Sequence, residues 1–98
     1  MYIKIHKAYR NVIAVCDSEL IGKKFEEGIK VLDVRENFYK GELKTEKEVI
    51  EIMEDFIKED ATFSIIGKKS VSAAIKASII SQEGIKKVAG IPFSLVLL

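Results

Sequence analysis

The order of apolar and polar positions predicts two strands in a hairpin, followed by a third strand. Residues 2–9 alternate apolar and polar side chains, the pattern of a half-buried strand. Residues 12–16 form an uninterrupted apolar run, which is typical of a buried strand, and Arg10-Asn11 is interpreted as a two-residue turn between the two. Residues 29–34 alternate imperfectly and predict the third strand.

The best-defined element is a helix that follows Thr45. Thr45 and Glu48 have the spacing of a capping box, in which each residue satisfies a backbone N–H of the other. The apolar residues after them recur with a period near 3.6, so they share one helix face. Before it, Asp17 or Ser18 is placed to cap a short helical turn, and residues 36–42 are interpreted as a loop.

The last third of the chain alternates strands with a helix. Residues 62–66 predict a strand that Gly67 ends, and a helix with a face of small alanines follows, as far as about Ser81. Residues 85–88 form either a strand or a turn. Residues 93–98 are at best an edge strand, because the proline at position 92 lacks the N–H that a ladder needs.

These elements indicate an α/β (α+β) fold. We expect a mixed sheet of four to five strands, an N-terminal β-hairpin, and two main helices on one face of the sheet. Strand-helix-strand connections favour parallel neighbours in the second half. Residues 1–98 are expected to form one compact domain, since 98 residues of which 48% are hydrophobic suffice for a single core.

Composition excludes several classes of site. One cysteine and one histidine rule out an intramolecular disulfide and a Cys/His zinc cage, so we expect no metal and no cofactor. No apolar run reaches the roughly 18 residues of a membrane span, and the expected location is the cytoplasm. Charged residues at 32%, with few side-chain amides, favour a thermophilic source.

Gly67-Lys68-Lys69-Ser70 lies between a predicted strand and helix, where a phosphate-binding loop would lie. A Walker A motif needs a glycine where Thr62 stands and a hydroxyl residue where Lys69 stands. Nucleotide hydrolysis is therefore not expected. A helix N-terminus beside two lysines still favours an anion, and the alternative is that both lysines are solvated residues around a Ser70 cap.

Lysine doublets recur beside predicted turns. The tetrapeptide Ile-Gly-Lys-Lys occurs at 21–24 and at 66–69, and Ile-Lys-Lys occurs at 85–87. Residues 42–60 carry eight acids and three bases, a local charge of −5, so the rest of the chain carries +6 although the total is +1. Such segregation can steer an anionic partner such as RNA, but chance clustering in a lysine-rich chain is nearly as good an explanation.

Phe38 and Tyr39, near Arg35 and Lys40, combine rings with cations, as single-stranded RNA binders do. The alternative, that Phe38 closes one end of the core, is favoured about two to one. The candidate anion-binding or RNA-binding residues are Lys23, Lys24, Lys68, Lys69, Ser70, Lys86, Lys87, Phe38 and Tyr39.

No catalytic constellation is visible. Cys16 lies in a buried-strand pattern beside Asp17, whose charge disfavours a thiolate. His6 is the only imidazole. A pairing with Cys16 across the hairpin would lack a third group to orient it, and a lone surface histidine is the better interpretation. We therefore expect a protein that is not an enzyme.

Several stretches together resemble a family of small archaeal proteins known as domain of unknown function 424. They are Val12-Ile13-Ala14-Val15-Cys16-Asp17, then Leu20, Gly22, Lys23, Phe25, Glu27 and Gly28, then Phe38-Tyr39-Lys40-Gly41-Glu42, Ile66-Gly67, Ser70-Val71, Ala74 and Ala89-Gly90-Ile91-Pro92. The resemblance implies an uncharacterised function, for which an RNA-binding label is itself only a prediction. Family members tend to carry a histidine after a Gly-Val-Pro, where this chain has Phe93, so any role of that histidine would be absent.

Two functional hypotheses follow. The first is a non-catalytic module that binds RNA or a ribonucleoprotein through the lysine doublets. The second is a protein-interaction or assembly subunit that acts through its acidic helix and its apolar C-terminal segment, with no nucleic acid, and that forms a homodimer through that segment. A nucleotide-binding enzyme centred on residues 67–70 is a distant third.

Overall fold

Within residues 1–97 the strands form a six-stranded mixed sheet and a separate two-stranded hairpin, and three helices pack on them. The computed structural model describes residues 1–97. In chain order the elements are β1 (Tyr2–His6), β2 (Val12–Cys16), β3 (Lys24–Glu27), β4 (Lys30–Asp33), α1 (Glu36–Tyr39), β5 (Glu42–Leu43), α2 (Glu46–Ile57), β6 (Thr62–Ile66), α3 (Lys68–Lys76), β7 (Lys86–Val88) and β8 (Ile91–Val96), with short 3-10 turns at Ser18–Leu20 and Gln82–Gly84.

The large sheet has the strand order β5-β1-β2-β6-β8-β7, and β3 pairs only with β4. β2 and β6 are parallel, and every other neighbouring pair is antiparallel. The predicted α+β class, with its mixed sheet and N-terminal hairpin, is thereby confirmed. The sheet has six strands where four to five were expected. β5 falls in a predicted loop and residues 85–88 form the strand β7, whereas the third predicted strand, β4, lies outside this sheet and pairs with β3.

The N-terminal hairpin has a longer connection than predicted. β1 ends at His6 and β2 begins at Val12, so five residues join them, and Arg10-Asn11 is not a two-residue turn. Asn11 shapes this loop, since its side-chain oxygen accepts a hydrogen bond from the Ala8 N–H (3.4 Å) and its carbonyl accepts one from the Thr62 N–H (2.9 Å).

The sheet buries a core on each face. On one face α2 and α3 cover the sheet around a cluster that includes Ile13, Val15, Met53, Phe63 and Ile65, all 0% exposed. The predicted placement of both main helices on one face is confirmed. On the other face the β3–β4 hairpin and α1 enclose a second cluster: Ala14, Cys16, Leu20, Leu32, Val34, Tyr39, Ile66 and Val88.

β8 corrects the prediction of an edge strand, because it lies inside the sheet between β6 and β7. Pro92 is tolerated there for a geometric reason. The Pro92 carbonyl accepts a hydrogen bond from the Gly67 N–H (2.8 Å). In a strand the nitrogen and the carbonyl of one residue point to the same side, so the Pro92 nitrogen also points toward β6, which has already ended at Ile66. The missing N–H therefore has no ladder partner to lose. Leu98, the last residue of the predicted segment, lies outside the described residues.

Three local boundaries also differ from expectation. β3 was not predicted, because Phe25 is its one apolar residue, and residues 36–39 of the predicted loop form α1. α3 ends at Lys76 rather than near Ser81. Ser78 has a positive φ of 60°, and the Ile79 N–H donates to the Ala74 carbonyl (2.9 Å), which is the Schellman arrangement that stops a helix.

The capping box of α2 is confirmed and gives a stability prediction. The Glu48 N–H donates to the Thr45 hydroxyl (3.2 Å), and the Thr45 N–H donates to the Glu48 carboxylate (3.0 Å). Hydrogen bonds from the Thr45 N–H and hydroxyl lower the pKa of Glu48 from its ordinary 4.5. We expect Thr45→Ala to lower the free energy of unfolding by about 1 kcal/mol at neutral pH, measured by urea denaturation.

The pH dependence of this loss has a defined sign. A carboxyl whose folded-state pKa is depressed stabilises the fold fully above the unfolded pKa and loses that contribution as the pH falls through the folded pKa. The difference between wild type and Thr45→Ala should therefore shrink below pH 4.5. Glu51→Gln, on the exposed face of the same helix, is the control, and an equal loss in both variants would contradict the prediction.

Candidate anion-binding edge and groove

The N-terminus of α3 is already occupied by a carboxylate of the chain itself. Asp17, directly after β2, accepts hydrogen bonds from the Lys69 N–H (3.0 Å), the Ser70 N–H (2.8 Å) and the Ser70 hydroxyl (2.7 Å). Asp17 is 3% exposed. The positive end of the helix dipole thus meets an internal anion, so the backbone half of the predicted anion site is not open to a ligand.

This arrangement corrects the expected role of two residues. Asp17 begins the 3-10 turn at Ser18–Leu20, but its side chain makes no cap hydrogen bond there and caps α3 instead. Ser70 is not the N-cap of α3: Gly67 is, and Ser70 is 0% exposed with its hydroxyl turned to Asp17. A buried Ser70 cannot touch a nucleic acid, so it leaves the set of candidate binding residues.

Gly67 makes the close approach of Asp17 possible. Its φ is +110°, and a Cβ at this position would lie 2.3 Å from the Asp17 Cγ. The Gly67 N–H is bonded to the Pro92 carbonyl and its own carbonyl accepts from the Val71 N–H (2.9 Å). The glycine therefore serves the contact between β2 and α3, rather than a phosphate.

Two lysines from different doublets meet in one groove. A cavity of about 510 Å³ lies between α3 and the β8–β7 edge of the sheet, and its lining includes Lys68 and Lys87. Both lysines are exposed, and neither forms an ion pair with any residue in the range 1–97. The groove therefore carries free positive charge.

Lys69 faces a neighbouring depression. This cavity, of about 290 Å³, is lined by Lys68 and Lys69 together with Asp17, Glu19 and residues of β8. Lys69 is exposed and, like Lys68, has no ion-pair partner within the described chain. Lys68, Lys69 and Lys87 thus form a cluster at one edge of the molecule, called here the lysine edge.

The remaining doublet lysines lie outside the lysine edge. Strand alternation places Lys86 on the face of Val88, which packs in the second core, so Lys86 and Lys87 point to opposite faces of the sheet. Lys24 forms an ion pair with Glu26 (3.8 Å). Lys23 is exposed before β3 and lines neither cavity of the lysine edge.

Phe38 and Tyr39 belong to the second core, on the sheet face opposite the groove. Tyr39 is 8% exposed, and its hydroxyl shares a hydrogen bond with Ser64 (2.7 Å). Burial raises the pKa of Tyr39. Phe38 is half-buried and stacks on His6, with ring centroids 4.4 Å apart and an interplanar angle of 17°. The structure supports the core alternative for these rings.

The cations beside these rings are already paired. Arg35 binds Asp33 (3.3 Å) and Lys40 binds Glu36 (3.6 Å). Arg35 and Asp33 border a cavity of about 310 Å³ that also contacts Phe38 and Ser64. The pairing of cations with aromatic rings that the sequence suggested therefore does not form an open stacking surface.

His6 does not face Cys16 across the hairpin, so the two side chains do not pair. In the β1–β2 register His6 faces Val12, whereas Cys16 faces Tyr2 at the other end of the hairpin. His6 Nε2 instead contacts the Phe38 carbonyl (2.8 Å). Burial, with the charges of Asp17 and Glu19, raises the pKa of the Cys16 thiol to about 12, so it is not a nucleophile in the native fold.

The described chain offers neither a metal-binding cluster nor a membrane-spanning helix. Across residues 1–97 the acidic, cysteine and histidine side chains form no group of three or more that could hold a metal ion. Within the same residues no helix has both the length and the apolar character to span a membrane.

The capping of α3 by Asp17 was not predicted from the sequence. The contact joins residues more than fifty positions apart, so no local pattern announces it. Its signal was an acidic residue directly after a buried strand, combined with a glycine at the end of the next buried strand. Those two features lie at the carboxyl ends of β2 and β6, which meet at the same edge of the sheet because the two strands are parallel.

The comparisons with known proteins agree with this fold. A family model described as "Protein of unknown function (DUF424)" matches residues 6–98. The chain belongs to this family. The resemblance noted in the sequence is thereby confirmed, and membership of DUF424 brings no assigned activity.

One solved structure has the same architecture as this DUF424 protein. It is an uncharacterized conserved protein from Methanopyrus kandleri, with 22% sequence identity and a TM-score of 0.83; the alignment covers 97% of this chain and 88% of that chain. At this identity the likeness concerns the fold. No curated protein matches the chain.

Gly67 and Gly22 give a stability prediction that compares a crowded positive-φ glycine with an open one. Gly22 also has a positive φ, +78°, but a Cβ there would meet nothing within 4 Å. We expect Gly22→Ala to cost about 1 kcal/mol from φ alone. Gly67→Ala should cost about 2–4 kcal/mol more for two reasons. Its φ of 110° with ψ of 156° is a conformation that essentially only glycine adopts, and its Cβ displaces a buried carboxylate that three donors require.

Urea denaturation of both variants measures this difference. Gly84→Ala, at an open position without a positive φ, is the neutral control. Equal losses for Gly67→Ala and Gly22→Ala would show that the Asp17 contact contributes nothing to the stability of the fold.

Proposed function

We propose that this DUF424 protein is a non-catalytic module that binds RNA, alone or within a ribonucleoprotein, through phosphate contacts at the lysine edge. One observation carries the proposal: Lys68, Lys69 and Lys87, which come from two doublets, lie together at one edge. None of the three forms an ion pair with a carboxylate in residues 1–97. Free ammonium groups at one edge are what a phosphate backbone binds.

Five of the other surface cations are less available to an anionic partner than the lysines of this edge. Lys24, Arg35, Lys40, Lys44 and Lys76 are each paired with a nearby glutamate or aspartate. Paired cations contribute little field at a distance, because the neighbouring carboxylate cancels them. Lys23, Lys47, Lys58 and Lys86 are also exposed and form no ion pair within residues 1–97. What distinguishes the lysine edge is therefore the grouping of three ammonium groups around two adjoining cavities.

The geometry also limits the kind of RNA recognition. Phe38 and Tyr39 lie on the other sheet face within the second core, so they do not form a stacking platform beside the lysines. Asp17 satisfies the backbone donors at α3, which leaves side-chain ammonium groups as the contacts. Binding of this kind reads phosphate charge and not base identity, so it is sequence-tolerant.

Salt dependence tests the proposal quantitatively. For a fluorescein-labelled oligouridylate, three phosphate contacts give a slope of log K against log salt near −2, which is roughly a 20-fold loss of affinity from 50 to 200 mM salt. Lys68→Glu/Lys69→Glu removes two of the three contacts. We expect it to remove most of the binding and, with one contact left, to weaken the slope to about −0.7 in anisotropy titrations.

A charge-matched control separates local from global effects. Lys47→Glu/Lys58→Glu changes net charge equally at exposed lysines of α2 and the residue after it. This variant should retain nearly the wild-type slope. If wild type and Lys68→Glu/Lys69→Glu bind the oligonucleotide alike, the lysine edge is not the RNA site.

A second candidate function is self-assembly through β8 and the residue after it. Leu95 and Leu97 are 62% and 72% exposed and, two positions apart, extend to the same side of the chain. Such apolar exposure on neighbouring positions favours a protein partner, and a second copy offers the same pair of leucines. The acidic face of α2 would be the other contact surface of such an assembly subunit.

Sedimentation velocity checks this candidate. Because β8 lies inside the sheet, deleting the tail would disrupt the fold, so substitution is the appropriate change. We expect wild type to show a concentration-dependent dimer and Leu95→Lys/Leu97→Lys to sediment as a monomer with an unchanged circular dichroism spectrum. A wild type that sediments at the mass of one chain at all concentrations would rule out the homodimer.

A further inference from the structure

The last residues of β8 have a neighbouring strand on one side only. β7 begins at Lys86, which pairs with Phe93, so β7 flanks only the first half of β8. Beyond Phe93 the pairing that continues is the one with β6, on the opposite side. Residues 95–97 therefore form a free sheet edge, called here the β8 edge.

The backbone groups of Leu95 and Leu97 point outward at the β8 edge. The N–H and C=O groups of successive strand residues point to alternate sides. The Pro92 carbonyl points to β6, because it accepts the hydrogen bond from the Gly67 N–H (2.8 Å). By this alternation Val96 also points to β6, whereas Leu95 and Leu97 point away from it. On that side neither leucine has a strand residue opposite it within residues 1–97.

The segment before β7 does not cover the β8 edge. Ser94 lies on the helix-covered face, since it pairs with Ile65 of the first core, and its hydroxyl donates to the Gly84 carbonyl (3.1 Å). This hydrogen bond draws the segment before β7 onto the helix-covered face. Leu95 and Leu97 accordingly stay 62% and 72% exposed.

The two leucines combine free backbone groups with exposed apolar side chains. Leu95 pairs with Ser64, so it lies on the sheet face opposite the helices, and Leu97, two positions on, extends to the same face. Residues 93–97 contain no charged side chain and no proline, which are devices by which exposed edges avoid pairing. The β8 edge is thus suited to pairing with a further strand.

A second copy of the β8 edge fits the first. When two copies run antiparallel about a twofold axis at Val96, Leu95 of each copy lies opposite Leu97 of the other. Both leucines point their backbone groups outward, so each pair exchanges two hydrogen bonds, four in all. The leucine side chains then pair on one face. An axis at Leu95 would instead bring Leu97 against Phe93, whose outer side β7 already occupies.

We propose that this chain forms a homodimer in which two β8 edges pair antiparallel about Val96 and join both large sheets into one. The inference rests on the second candidate function, self-assembly, and assigns its contact, register and symmetry. Three paired residues per copy make a contact smaller than the roughly 1,200–2,000 Å² of stable complexes, so the dimer forms reversibly. The lysine edge lies beside Pro92, at the other end of β8, and stays open in the dimer.

Cysteine crosslinking of the full-length chain tests this register. Val96→Cys places two thiols opposite each other at the axis, in a pair without hydrogen bonds whose Cα atoms lie about 4.5 Å apart, within the reach of a disulfide. Leu97→Cys is the matched control, because its two copies lie on either side of the axis, beyond the roughly 7 Å limit.

Oxidised glutathione supplies the oxidant, and non-reducing gels measure the product. We expect Val96→Cys to form about tenfold more covalent dimer than Leu97→Cys, although position 97 is more exposed. Wild type should form none, because Cys16 is buried. More crosslinking through Leu97→Cys than through Val96→Cys would overturn the proposed register.

Amide hydrogen exchange of wild type gives a second readout without a substitution. The Val96 N–H points to β6, so it should exchange slowly at every protein concentration. The Leu95 and Leu97 N–H groups should exchange fast in dilute protein and slow down as the concentration rises. Exchange at Leu95 and Leu97 that stays fast in a sample shown by sedimentation to be dimeric would contradict strand pairing.

These experiments separate this inference from the function on which it rests. A wild type that sediments as one chain at all concentrations, with no crosslink in either cysteine variant, removes both self-assembly and edge pairing. A dimer that Leu95→Lys/Leu97→Lys abolishes, but that crosslinks through Leu97→Cys in preference to Val96→Cys, joins the two copies by their sheet faces. That result keeps self-assembly and refutes the edge pairing.

Discussion

The contact between the Asp17 carboxylate and the first turn of α3 holds the two halves of the molecule in register. Asp17 also donates its N–H to the Ile66 carbonyl (3.1 Å), so one residue ties the end of β2 to the end of β6 and to the helix that leaves it. A buried carboxylate with three donors is costly to leave unpaired. The path of the chain around it is therefore fixed, and Gly67 is the residue that makes room.

The elements that could be predicted from sequence are those whose cause is local. The helix after Thr45 and the strand at 62–66 are specified by side chains within a few positions, through a capping pair and a short apolar run. β3 escaped prediction because its partner β4, and not its own composition, makes it a strand. β8 was misjudged for the opposite reason: Pro92 argues locally against an interior strand, yet its nitrogen falls beyond the end of β6.

The binding surface was predictable only in part. The doublets at 68–69 and 86–87 were recognised from spacing, but strand alternation divides the second doublet between two faces of the sheet. The role of Asp17 depends on a contact between residues far apart in sequence. The stretch Gly67–Ser70 suggested an open anion site, but the Asp17 carboxylate occupies its backbone donors. The surface that the structure leaves for an anion is the lysine edge, where Lys68, Lys69 and Lys87 border two adjoining cavities. The spacing of the doublets along the chain does not show that these three lysines lie together.

Cys16 belongs to the second core and is 0% exposed, and its Sγ–H donates a hydrogen bond to the Asp17 carbonyl (3.2 Å). A sulfhydryl in this position meets an oxidant only when β2 separates from its neighbours. The native fold is accordingly inert toward disulfide exchange with another molecule. Any covalently linked pair of chains on a non-reducing gel would thus record earlier opening of the structure, and would give no information about association between folded copies.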